Sequence, residues 1–254
     1  MQQLSEPDNI YTEHFTVRTY ETGFNNAVTL PGYCKYMQEA AARHALLLEQ
    51  ADSTAEYIGF TWILARLHLV VDKYATWRDA VSVLTWPSGI RDRTTALRDF
   101  VIEDKWSNPL LQGVSEWVYL DVARMQGAAL PGYYARLPCG SVPRVAVPDT
   151  SGAIPDFSSA AWQSAVTVRN ADHDFKNHLN NSHYVEWLFE ALPPAWRNRR
   201  CVTELDIQFK ISARRGDIIL SEVIPEIENS LLHKITRESD GSVLVTARTH
   251  WREE

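Results

Sequence analysis

The chain has 254 residues, 45% of them hydrophobic and 22% charged, with a net charge of −7. That is globular composition with room for two domains, and the acidity argues against nucleic acid as the main partner. Three cysteines exclude a disulfide framework, and the longest charge-free run, residues 22–34, is too short to span a membrane. Residues 1–13 carry no signal or transit pattern, so a soluble, cytoplasmic protein is expected.

In chain order, residues 13–20 read as a strand, followed by a polar loop and an amphipathic helix over 30–49. That helix places Tyr33, Met37, Ala40, Ala41 and His44 at three/four spacing. Runs rich in β-branched and aromatic residues at 61–71, 79–86, 94–103 and 114–123 read as strands. Residues 126–155 hold five of the twelve prolines and read as an extended surface linker. A second strand (163–170) and helix (181–192, stopped by Pro193 and Pro194) follow, then strands at 201–212, 217–226, 230–237 and 242–251. One helix followed by an antiparallel meander, twice over, predicts an α+β fold in which each sheet wraps a central helix. The expected division is 1–125, a linker over 126–160, and 161–254.

The chain also repeats itself. Residues 16–40 align without a gap on residues 167–191 at an offset of 151, with eight of 25 positions identical, among them Val17/Val168, Arg18/Arg169, Phe24/Phe175, Tyr33/Tyr184 and Glu39/Glu190. Residues 64–83 align on 202–221 at an offset of 138, sharing Leu67/Leu205 and Asp79/Asp217. Two blocks in the same order point to duplication. The loop before the second helix carries Asp174 and His178 where the first has Gly23 and Ala27. This asymmetry suggests one site, in the second half.

The run Asp174-Phe-Lys176-Asn-His178-Leu-Asn180-Asn181-Ser-His-Tyr184 resembles the D-x-N-x-H-x-N-N-x-x-Y signature of acyl-ACP thioesterases, a tandem hotdog family. The first half resembles it too, in Val17–Glu21, in Gln38-Glu39-Ala40-Ala41, and in the stretch from Val70 to Trp77. The resemblance implies a double hotdog whose halves are pseudo-twofold related, the first binding the acyl chain and the second catalytic. It further implies hydrolysis of the thioester of fatty acyl-acyl carrier protein to free fatty acid, a step of fatty acid and lipid metabolism.

In that reading Asp174 acts as general base on water or as nucleophile, and His178 positions the thioester or the water. Asn180 and Asn181 lie at the helix start, where free N–H groups and the dipole favour an oxyanion. Two departures from the pattern stand out. Lys176 replaces the family's asparagine, and the carboxylate or cysteine of the following strand falls on Gln208 and Ala213. A cysteine nucleophile is therefore disfavoured, and Gln208 is expected to help hold water. Tyr33, Met37, Ala40 and Ala41 are expected to form one wall of the acyl tunnel, although core packing alone accounts for them. Arg197, Arg199, Arg200 and Arg214 are expected to dock the acidic carrier protein, a solvated face being the plainer alternative. No cofactor and no metal are expected, and monomer and homodimer both stay open. The rival readings are an acyl-CoA thioesterase and a non-hydrolytic acyl-thioester-binding hotdog protein.

Overall fold

The computed structural model describes residues 10–51, 59–137, 139, 144–145, 147, 152–174, 179–227 and 229–253. The chain divides into two compact units, Met1–Ala65 with Asp72–Val147, and Arg66–Val71 with Pro148–Glu254.

In the first unit, β1 (Tyr11–Thr16) leads through a 3₁₀ turn (Thr19–Glu21) to α1 (Leu30–Ala51). Thr29 opens α1: its hydroxyl accepts the Gly32 N–H at 3.2 Å, and Pro31 occupies the first turn, where its missing N–H costs nothing. Then come β2 (Phe60–Val71), β3 (Ala80–Ile90), β4 (Thr95–Asp104), β5 (Pro109–Asp121) and the two-residue β6 (Gln126–Gly127). Strand order is β1-β3-β4-β5-β2, with β6 on β5. The pleat turns Ala96, Arg98, Phe100 and Ile102 of β4 toward α1, since Arg98 bonds His44 and Ala96 packs with Leu48. Tyr33, Tyr36, Met37, Ala40 and Ala41 of α1 are all buried, as the three/four spacing predicts. Each large apolar side chain so enclosed contributes about 1.5–3 kcal/mol.

The second unit contains the Arg66–Val71 end of β2, then β7 (Trp162–Thr167), α2 (Asn181–Leu188), α3 (Pro194–Arg197), β8 (Arg200–Phe209), β9 (Ile218–Pro225), β10 (Ser230–Arg237) and β11 (Val243–Glu253). Its strands run in the order β2-β8-β11-β10-β9-β7, each antiparallel to the next. Leu205 and Ile207 face α2 together with Phe209, whose ring meets Tyr184 edge-on at 5.9 Å. The other face carries charge: Arg66 grips Asp206 through Nε (2.8 Å) and Nη2 (2.6 Å), and His68 pairs with Glu204 at 2.8 Å.

Two expectations change. The second helix ends at Leu188, not Leu192, because the chain tightens into i→i+3 bonds (Phe189 N–H to Glu186 O, Leu192 N–H to Phe189 O), and Pro194 starts a new helix instead of ending the old one. The stretch expected as an extended surface linker is exposed over much of its described length but is anchored at several points. Tyr133 and Tyr134 are buried against Leu48 and Ala96, the Gly152 carbonyl accepts from Arg66 at 3.3 Å, and Asp156 pairs with Lys234 at 3.2 Å.

The repeat is reproduced bond by bond at the two offsets. Val17 N–H reaches Asp79 O at 2.9 Å, and Val168 N–H reaches Asp217 O at 2.9 Å. The Tyr33 hydroxyl accepts the Ala75 N–H at 2.7 Å, as the Tyr184 hydroxyl accepts the Ala213 N–H at 2.7 Å. Arg78 (φ 74°) and Gly216 (φ 85°) occupy the same left-handed turn position, where glycine alone fits without strain.

Candidate active site

The candidate loop is held at its base by backbone geometry. After β7, Arg169 and Asp172 close a 3₁₀ turn in which Asp172 accepts the Arg169 N–H at 2.7 Å and the guanidinium at 2.9 Å. Burial alone would raise the Asp172 carboxyl, but these bonds from Arg169 outweigh it and hold the group below its ordinary range. His173 then pairs with Leu179 in an isolated antiparallel bridge, and the Asn180 N–H returns to Asp172 O at 2.9 Å. The first unit repeats this frame with Glu21, the Thr22–Val28 bridge and Thr29.

Asp174 follows the bridge residue directly and is half-buried. Lys176 and His178 lie outside the described residues. Asn180 is the N-cap of α2, its side-chain oxygen accepting the Ser182 N–H and hydroxyl, each at 2.9 Å. Asn181 is the first residue of the helix, so Asp174 and the helix start belong to one loop frame. An oxygen acceptor placed ahead of Asn181 meets a backbone N–H and the positive end of the α2 dipole.

Gln208 is not brought to this frame. It alternates along β8 with Phe209, which packs on α2, and stands instead between Arg66 of β2 and Thr246 of β11 on the far side of the sheet. The period of two decides this. Ala213 is buried and spends its N–H on Tyr184. His183 bonds Glu186 at 3.0 Å and stacks on Trp187. Among the described residues no cluster of His, Cys, Asp or Glu is placed to hold a metal.

Of the residues expected to wall the acyl chain, Tyr33, Met37, Ala40 and Ala41 share the buried face of α1. Tyr33 is in addition tied to the backbone at Ala75, a role the identity Ala75/Ala213 signals in the sequence and which spacing alone missed.

The basic residues do not form one patch. Arg200 is taken up by Glu253 at 2.6 Å and lies over the Trp196 ring at 4.3 Å. Arg197 and Arg199 are exposed before β8, whereas Arg214 is exposed beyond its other end. Ten residues of strand separate the two ends, about 30 Å. The Arg214 end is the one that meets the candidate loop, through Ala213–Tyr184 and Asp217–Val168.

Known proteins agree with this architecture. The family model described as "Acyl-ACP thioesterase N-terminal domain" matches residues 8–134, and "Acyl-ACP thioesterase C-terminal domain" matches residues 158–253. The oleoyl-acyl carrier protein thioesterase 2 of Arabidopsis thaliana, a chloroplastic protein, is 26% identical over 98% of this chain and 71% of its own length. Two solved structures share the fold: the 12:0-ACP thioesterase of Umbellularia californica (TM-score 0.84, 23% identity, 99% of this chain and 100% of that one) and an acyl-ACP thioesterase of Bacteroides thetaiotaomicron (TM-score 0.85, 20% identity, 98% and 100%). With both halves matched by its models, the chain belongs to the acyl-ACP thioesterase family.

Proposed function

We propose that the protein is a thiolester hydrolase that releases free fatty acid from acyl-acyl carrier protein, built as a double hotdog with the chemistry in its C-terminal half. Asp174 takes a proton from water, the water oxygen attacks the thioester carbonyl, and the oxyanion forms ahead of Asn181 at the start of α2. Collapse expels the carrier's thiol. His178 orients the thioester or the water. The N-terminal half receives the acyl chain along Met37, Ala40 and Ala41. Arg214, with Arg215 beside it, docks the acidic carrier near the loop. Gln208 has no part in this reading.

The observation that carries it is the asymmetry of one frame built twice. Only the second copy puts a carboxylate directly after the bridge, at Asp174, where the first has Gly23. No described helix is long and apolar enough to cross a membrane. The test is thiol release from acyl-ACP by Asp174→Ala. Turnover should vanish with the melting temperature unchanged; near-wild-type turnover refutes the assignment. Equal or better kcat/KM on acyl-CoA of the same chain would move the handle from carrier protein to CoA. Saturable binding without any product would favour the non-hydrolytic reading, which the Lys176 substitution keeps in play.

A further inference from the structure

Among the described residues, no carboxylate bonds the buried Arg98 cation of the N-terminal unit. Arg98 of β4 is 5% exposed and points toward α1. Its neighbour Asp99 alternates to the other face, where Arg144 (3.0 Å), the Val145 N–H (3.0 Å) and Ser88 hold it. The Arg98 guanidinium donates from Nη1 to His44 Nδ1 (3.1 Å) and Thr85 Oγ1 (3.1 Å), and the Tyr134 hydroxyl lies beside it. Nearby Ser115 donates to the Arg98 carbonyl and accepts from the Trp117 indole, so its oxygen is engaged. A guanidinium has five N–H donors. Among the described residues its partners are all neutral: His44, Thr85 and Tyr134.

His44 carries an unmet donor. It is fully buried on α1 and stacked on Tyr11. Because Nδ1 accepts from Arg98, the proton of the neutral ring stands on Nε2, which has no hydrogen-bond partner among the described residues. Burial and the adjacent Arg98 push His44 down to about 3, so the ring is neutral at ordinary pH and supplies no counter-charge.

Burying a cation without a carboxylate partner, beside an unmet N–H, is unfavourable. The cluster is also placed for use. His44 lies one turn beyond Ala40 and Ala41 on the α1 face assigned above to the acyl chain. One turn further along α1, Leu48 packs with Ala96, Tyr133 and Trp62.

We propose that Arg98 and His44 bind an acceptor oxygen on the acyl chain, so that the preferred substrate carries a hydroxyl, oxo or carboxyl group rather than plain hydrocarbon. The inference rests on the reading that the N-terminal half receives the chain.

The test compares kcat/KM on carrier-linked chains of one length, plain, hydroxylated, oxo-substituted and ω-carboxylated, for the wild type, Arg98→Met and His44→Phe. A site built around hydrogen-bond donors discriminates strongly against a substrate lacking the acceptor. The wild type should favour at least one oxygenated chain by about tenfold or more, and either variant should lower that ratio by about tenfold. The most favoured arm identifies the oxygen function. Arg98→Met should melt at or above the wild-type temperature, since an unpaired buried charge has been replaced by a similar apolar volume. A wild type that favours the plain chain in every pair overturns the proposal. So does an unchanged ratio in Arg98→Met, or a variant that does not fold, because Arg98 would then be a structural residue. Calorimetric titration of the wild type with the matching free acids separates this from the function itself. Tighter binding of the oxygenated acid without turnover of any thioester sinks the hydrolase reading alone. Turnover with no preference in either assay sinks this one alone.

Discussion

Removing one hydroxyl from each half tests whether the two halves are the same physical device. Tyr33 and Tyr184 are 0% and 2% exposed, and each accepts a backbone N–H at 2.7 Å, from Ala75 and Ala213 respectively. Both alanines are buried, so tyrosine to phenylalanine leaves an N–H that neither protein nor bulk water can meet. Stranding such a donor costs about 1–3 kcal/mol. The Tyr33 hydroxyl in turn donates to the Lys73 carbonyl at 3.3 Å, and the Ser212 side chain lies beside the Tyr184 hydroxyl. Tyr33→Phe and Tyr184→Phe should therefore lose the same stability to within about 1 kcal/mol, measured by urea denaturation. In a chain of this size that corresponds to about 2–12 °C of melting temperature. Thiol release adds a second reading: Tyr184 anchors the helix at whose start the proposed mechanism puts the oxyanion, so its loss should fall on kcat. Costs differing by more than about 2 kcal/mol, or a Tyr184→Phe enzyme with unaltered kcat, would refute the equivalence and the placement of the site, respectively.

Asp206→Ala leaves the buried Arg66 guanidinium without its bidentate partner and should cost about 3–5 kcal/mol in urea denaturation, while Arg66→Met with Asp206→Leu should recover most of it. His233 is fully buried, its Nδ1 donating to the Leu188 carbonyl and its Nε2 accepting from the Thr249 hydroxyl, and burial pushes it down to about 4. Above its ordinary 6.5 both folded and unfolded chains hold it neutral, so stability is at its full value. Between 6.5 and 4 only the unfolded chain takes up the proton, so stability must fall as pH drops through that window. His233→Gln should flatten that slope in part, leaving the share due to His44, which is displaced in the same direction; an unchanged slope would contradict it. Charge reversal at Arg214 and Arg215 should weaken binding of acyl carrier protein at low salt by more than reversal at Arg197 and Arg199, because only the former pair lies at the loop end of β8.

What could be read from the sequence, and what could not, follows the range of the interactions. The helix–meander order was legible because period and turn residues are local, and so was the repeat, since its identities recur at fixed offsets. The second helix was over-extended because Pro193 and Pro194 bound a helix without locating its last turn, which the i→i+3 bonds at Phe189 decide. Gln208 was assigned to the site although the alternation Leu205-Asp206-Ile207-Gln208-Phe209 already puts it with the charged face. The basic cluster was read as one patch although a ten-residue strand lies inside it. These two were available from strand geometry. The Arg66–Asp206 and Arg98–His44 contacts were not, since they join residues 140 and 54 positions apart and depend on which strands become neighbours.

The unequal fate of the two loops has a physical basis in the same hydrogen bonds. The Asp79/Asp217 and Tyr33/Tyr184 side chains accept backbone N–H groups, from Thr76 and Arg214 and from Ala75 and Ala213, so changing any of them removes a backbone donor's partner in either half. The residue after each bridge differs in its side chain: Gly23 at one copy and Asp174 at the other follow the same backbone frame. In the first unit His44 keeps, among the described residues, an unmet Nε2 donor beside the buried Arg98, and a fold that needed only a scaffold there would be more stable with apolar groups in their place.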